Sequence, residues 1–169
     1  DIVMGVVYVP RTGEMFTAQK GHGAFRNGKP IHVSDRPFAN AVVCTAFSVY
    51  HKEYTDICAD IIVSLFRQCN DFRRFGACAP ELCYLAMGRC ELYFEYMLGP
   101  WDFAAASLVV TEAGGIISDL HGQPLSCLEH KGVIAANSAE NFQKLLETVQ
   151  GRMSLTSSPS SRGEGSNGL

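Results

Sequence analysis

Turn signals crowd the start of this chain and leave little room for anything but short strands. Arg11-Thr12-Gly13, Lys20-Gly21-His22-Gly23 and Asn27-Gly28 interrupt the first thirty residues. The pieces between them, Ile2–Val9 and Glu14–Gln19, are rich in β-formers. Asn-Gly is a strong hairpin signal, because both residues tolerate a positive φ. The first third therefore reads as an antiparallel meander, expected to continue through Pro30–Ser34 and Ala41–Phe47. The glycines at 21, 23 and 28 are not a dinucleotide loop: they miss the G-x-G-x-x-G register, and Lys29-Pro30 follows where a helix must start.

Beyond the meander the apolar period changes. Ile57, Ile61, Ile62, Leu65 and Phe66 give Tyr54–Cys69 one core-facing helical stripe. Phe72–Gly76 is a short strand. Pro80 fits the first turn of a helix that runs to about Met87 and stops at Gly88. Glu91–Tyr96 alternates as a strand, Gly99-Pro100 turns the chain, and Trp101–Ala113 is a helix closed by Gly114-Gly115. Ile116–Leu120 and Val133–Ala136 are strands on either side of a turn at His121-Gly122-Gln123-Pro124, and Ala139–Gln150 is the last helix. Antiparallel strands alternating with helices give an α+β layered architecture over residues 1–151. Residues 152–169, rich in Ser and Gly, are expected to form a disordered tail.

Composition removes several function classes. Fourteen basic and seventeen acidic residues give a net charge of −3, and no run of Lys or Arg exceeds Arg73-Arg74. That excludes a phosphate-backbone footprint, so no nucleic-acid partner is expected. No apolar stretch has the ~18 residues of a membrane span, so no membrane partner is expected either. Seven cysteines without a CxxC pair argue against a disulfide framework and against zinc. They read as buried, reduced thiols of a cytoplasmic protein. The chain begins at Asp1, already within strand-like sequence, and so looks cut; a signal peptide is not legible.

Few residues carry chemistry by spacing alone. The five histidines show no metal-ligand spacing, and no G-x-S-x-G elbow occurs. Cys78, at the mouth of a helix, reads either as a nucleophile or as a small side chain tolerated at a crowded turn. Asp102 follows the Gly-Pro corner in the first turn of a helix, where by itself it offsets the helix dipole. Glu95 ends a strand seven residues earlier and is placed to point into the same mouth. Two carboxylates converging there suit a hard cation such as Mg²⁺.

The stretch Trp101-Asp102-Phe103-Ala104-Ala105-Ala106-Ser107-Leu108-Val109-Val110-Thr111-Glu112-Ala113-Gly114-Gly115 resembles the C-terminal signature of the inositol monophosphatase family of metal-dependent sugar phosphatases. Gly5–Pro10 and Gly13–Gly28 resemble that family's central hairpins. Arg74-Phe75-Gly76-Ala77-Cys78-Ala79 resembles its substrate loop, and Ala135-Ala136-Asn137 its last strand. The resemblance spans about residues 1–150.

It implies a layered α-β-α-β-α sandwich, of which this chain is the C-terminal part with part of the central sheet. It implies hydrolysis of an inositol or sugar phosphate with Mg²⁺ ions that activate water and shield the phosphate charge. By position, Asp102 is implied as a metal ligand and Glu95 as the carboxylate that holds a substrate hydroxyl. Gly76, Ala77 and Cys78 are implied as a helix-mouth loop touching the substrate ring, and no side chain here is assigned to the catalytic step itself. A homodimer is implied for the full-length protein. The loop departs from the family's Gly-Ser/Thr-Ala, since Ala77 lacks the hydroxyl and Cys78 adds bulk. Fructose-1,6-bisphosphate, 3′-phosphoadenosine nucleotides and histidinol phosphate therefore stay open as substrates.

The family's Glu-Glu pair and D-P-[IL]-D-G-T motif, which supply its other metal ligands, occur nowhere in the 169 residues. The N-terminal metal-site half is thus expected to be absent and the chain inactive alone, because one carried-over carboxylate does not hold Mg²⁺. The alternative is a truncated, non-catalytic paralogue that serves as a dimerisation or regulatory partner. In either case residues 2–9 are expected to leave an unpaired edge and an exposed apolar face.

Overall fold

A computed structural model describes residues 1–156. The first sheet is built from β1 (Met4–Val9), β2 (Glu14–Gln19), β3 (Ala24–Arg26) and β4 (Lys29–Pro30), antiparallel and in that spatial order. Asn27 and Gly28 both have positive φ, 48° and 75°, as their hairpin turn requires. Val7, Phe16 and Ala18 bury one face of this sheet, while Met4, Val6, Tyr8 and Met15 stay exposed on the other.

The second sheet has the order β6-β5-β7-β9-β8. Its strands are β5 (Val42–Ala46), β6 (Asp71–Arg73), β7 (Leu92–Leu98), β8 (Ile116–Ser118) and β9 (Lys131–Ala136). β5 runs parallel to β6 and β7, whereas β9 runs antiparallel to β7 and β8. Helices α2 (Cys78–Ala86) and α3 (Pro100–Glu112) lie between the two sheets. Helices α1 (Thr55–Phe66) and α4 (Ala139–Thr156) cover the far face of the second sheet. The described residues thus form four layers, β-α-β-α, of an α+β sandwich.

β7 is buried on both faces, and its alternation divides the core. Tyr93 joins Phe16, Leu82, Leu85, Phe103 and Val109 in the inner layer. Leu92 and Phe94 join Ile61, Leu65, Ile134 and Leu145 beneath α1 and α4. This is the period-2 consequence of a strand with a helix layer on each side.

Two expectations from the sequence need correction. The meander ends at Pro30, and β5 belongs to the other sheet rather than continuing the first. Residues 31–37 cross between the sheets, so their polar groups are satisfied by other layers instead of a ladder. Val33 N–H donates to Ala113 C=O at 3.1 Å. The buried Glu91 carboxylate accepts from Ser34 Oγ and Val42 N–H, both at 2.8 Å, and pairs with Arg36 at 3.2 Å. Asn137 Nδ2 donates to the carbonyls of Ser34 and Arg36, each at 3.0 Å.

The second correction concerns the C-terminus, where α4 continues six residues past Gln150. Residues 152–156, assigned to the tail, are helical; residues 157–169 lie outside the described residues. Among the described residues no helix is long and apolar enough to cross a membrane. Cys44, Cys58, Cys78, Cys83 and Cys90 are buried free thiols, Cys69 is half-buried, and Cys127 is exposed.

Candidate active site

Strand β5 ends at Ala46, in register with Glu95 of the parallel strand β7, which runs on to Leu98. The N-termini of α2 and α3 meet at the same place, so two positive helix ends face one mouth. Between them lies a cavity of about 500 Å³ whose wall includes Arg74, Glu81, Glu95, Trp101 and Asp102. Gly76, Ala77 and Cys78 line it too. The structure therefore gathers all five residues that the sequence singled out.

Asp102 occupies the third position of α3. Its Oδ2 accepts the Gly99 N–H at 2.9 Å, while its own N–H donates to Gly99 C=O at 3.0 Å. The dipole-compensating role read from the sequence is thus real, and the carboxylate still borders the cavity.

Glu95 sits within β7 rather than at its end and is only 9% exposed. Its Oε2 accepts the Tyr93 hydroxyl at 2.7 Å. Burial pushes its pKa up to about 7; the Tyr93 hydrogen bond opposes this, and the charges of Glu81 and Asp102 add to it.

The loop before α2 is held from within. Gly76 has φ 90°, a left-handed conformation that glycine adopts without penalty. The Glu81 carboxylate, in the first turn of α2 and almost fully buried, folds back so that Oε1 accepts Phe75 N–H at 2.6 Å and Gly76 N–H at 2.8 Å. Burial raises the Glu81 pKa, against the pull of these amides.

Cys78 opens α2, but it is no thiolate. Burial pushes its pKa well above the usual thiol range; the neighbouring Tyr93 opposes this, and the charges of Glu95, Asp102 and Glu81 add to the rise. The nucleophile reading is therefore set aside. The bulk that Cys78 adds is turned toward Tyr93.

Sequence reasoning missed Glu81, Tyr93, Trp101 and two rim histidines, His51 and His130. Glu81 left one signal, a lone carboxylate inside the apolar run Pro80-Glu81-Leu82-Cys83-Tyr84-Leu85. Tyr93 left none, because an aromatic residue in a strand is ordinary. Trp101 is three-quarters exposed at the rim, its indole edge-on to His130 with centroids 5.2 Å apart.

These donors do not fit a Mg²⁺ ion by themselves. Glu81 is committed to backbone amides, and Glu95 and Asp102 each give one oxygen to a protein donor. Among the described residues no three His, Cys, Asp or Glu side chains stand close enough to hold a metal ion. A hard cation needs more oxygen ligands than this face of the cavity offers.

Comparison with known proteins agrees with the geometry. The model of the inositol monophosphatase family matches residues 1–154. The Nus factor SuhB of Vibrio cholerae is 39% identical over 145 residues, which is 85% of this chain and 54% of that protein. The crystal structure of the extragenic suppressor protein suhB from Bartonella henselae superposes with a TM-score of 0.82 at 34% identity, covering 89% of this chain and 57% of that one. An inositol monophosphatase from Anabaena gives a TM-score of 0.79 at 29% identity, covering 88% and 58%. The chain spans about half the length of the curated relatives it matches.

Proposed function

The chain belongs to the inositol monophosphatase family, and from that premise we propose that it is the substrate-facing half of a Mg²⁺-dependent phosphate monoester hydrolase. The observation that carries the proposal is the convergence of Asp102, Glu95 and the Gly76-Ala77-Cys78 loop on one cavity, from three separate elements. In this reading Asp102 contributes one ligand to an ion completed by carboxylates outside these residues. Glu95 accepts a hydroxyl of an inositol or sugar phosphate, and the loop presents backbone to the ring. The two helix N-termini favour an anionic ligand at the mouth. The full-length protein is proposed to be a cytoplasmic homodimer.

The experiment is phosphate release from a panel of inositol and sugar phosphates, with and without Mg²⁺. The chain alone is run beside a version extended upstream to include the Glu-Glu and D-P-[IL]-D-G-T motifs. Turnover only in the extended version is the expected result. Mg²⁺-dependent turnover by the chain alone would sink the half-site reading.

The name Nus factor carried by the Vibrio relative favours a second reading, a non-catalytic partner role. Silence of a folded, extended version across the whole panel would select it.

A further inference from the structure

Tyr93 and Glu95 lie two residues apart on β7, and so on the same face of the strand. Tyr93 is fully buried, and the single proton of its hydroxyl goes to Glu95 Oε2 at 2.7 Å. The Cys78 thiol lies beside the same hydroxyl, near enough for the two groups to perturb one another. The substrate loop, a buried tyrosine and a cavity carboxylate therefore stand side by side, the last two hydrogen-bonded. Glu95 Oε1 carries no hydrogen bond among the described residues, and Glu95 lines the cavity.

A carboxylate with two equivalent oxygens turns freely about its last bond. A fixed donor on one oxygen selects a single orientation and aims the other, and such preorganisation is how a second residue tunes a binding group. We propose that Tyr93 is a positioning residue, holding Oε2 so that Oε1 of Glu95 is presented to a hydroxyl of a polyol phosphate in the cavity. The proposal rests on the substrate role given to Glu95 above. The other titratable or charged groups facing Glu95 are Glu81 on α2, Asp102 on α3, Arg74 in the loop, Cys78 at the mouth of α2 and Cys58 on α1.

The test uses the upstream-extended protein, kept free of Mg²⁺ so that the probe is not turned over, and labelled with carboxyl-¹³C glutamate, as wild type and Tyr93→Phe. Inositol monophosphate is the probe and inorganic phosphate the control. Tyr93→Phe is expected to raise the Glu95 titration midpoint by about one pH unit, since a donor favouring the charged form is lost. It is also expected to weaken the response of the Glu95 resonance to inositol monophosphate about fivefold, with the response to inorganic phosphate unchanged.

An unmoved midpoint in the folded variant overturns the proposal. So does a moved midpoint with an undiminished probe response, because Tyr93 would then only be satisfying its own hydroxyl. A wild-type Glu95 resonance indifferent to inositol monophosphate overturns the substrate role of Glu95 and the positioning role with it; the midpoint tells this failure from the first. Should Tyr93→Phe not fold, the link is read in reverse on the Tyr93 ring Cζ resonance. That resonance is expected to move in Glu95→Gln, and its standing still overturns the proposal.

Discussion

Glu81 reaches back over the loop that precedes its own helix, and its Oε1 accepts hydrogen bonds from the backbone of both Phe75 and Gly76. A buried carboxylate five residues downstream thus sets the shape of the substrate-facing loop. Glu81→Ala leaves two amides without their acceptor, at a cost of about 2–3 kcal/mol. Its specific mark is faster hydrogen exchange at Phe75 and Gly76 than at α3. Glu81→Gln, which keeps one acceptor oxygen, is expected to restore most of that protection.

Glu95 gives the fold a pH dependence of known sign. Its folded pKa, about 7, lies above its ordinary value of 4.5, so the folded state holds the proton more tightly than the unfolded chain does. The stability this contributes is fully present below pH 4.5 and is lost as pH rises through about 7. Denaturant unfolding between pH 4.5 and pH 8 is expected to show wild type losing about 3 kcal/mol more than Glu95→Gln. Equal losses in the two proteins would contradict the raised pKa.

Asp102 combines a capping contact with a place at the cavity, and the two are separable. Asp102→Asn keeps an oxygen for the Gly99 N–H, so its melting temperature is expected to stay within a few degrees of wild type. Asp102→Ala loses the contact, at about 1 kcal/mol. In the upstream-extended protein both substitutions are expected to lower Mg²⁺-dependent turnover by about two orders of magnitude. Full turnover in Asp102→Asn would remove Asp102 from the list of metal ligands.

The first sheet ends at β1, and Met4, Val6, Tyr8 and Met15 form an exposed apolar face beside that open edge. Such a surface promotes edge-to-edge association. The chain by itself is expected to elute as large species in size-exclusion chromatography with light scattering. Replacing Met4 and Val6 together by Lys is expected to shift it toward monomer, because both side chains already point to solvent. A sharp monomer peak for the unmodified chain would refute this.

Much of this architecture was written locally. Asn27-Gly28 dictated a turn through the φ angles its residues tolerate, and the stripe Ile57, Ile61, Leu65 marked α1 by its period. The Trp101-Asp102 stretch placed Asp102 at a helix start. In each case the deciding interactions lie within a few residues of one another, so spacing reports them.

Other features belong to the assembled molecule alone. β5 joins a second sheet because residues 31–37 are held by Glu91 and Asn137, partners 57 and about a hundred positions away. Glu81 turns toward amides rather than solvent, and Tyr93 spends its one proton on Glu95, because burial leaves each polar group only the partners that packing brings within reach. Those partners come from elements far apart along the chain, and no local pattern encodes which of them will meet.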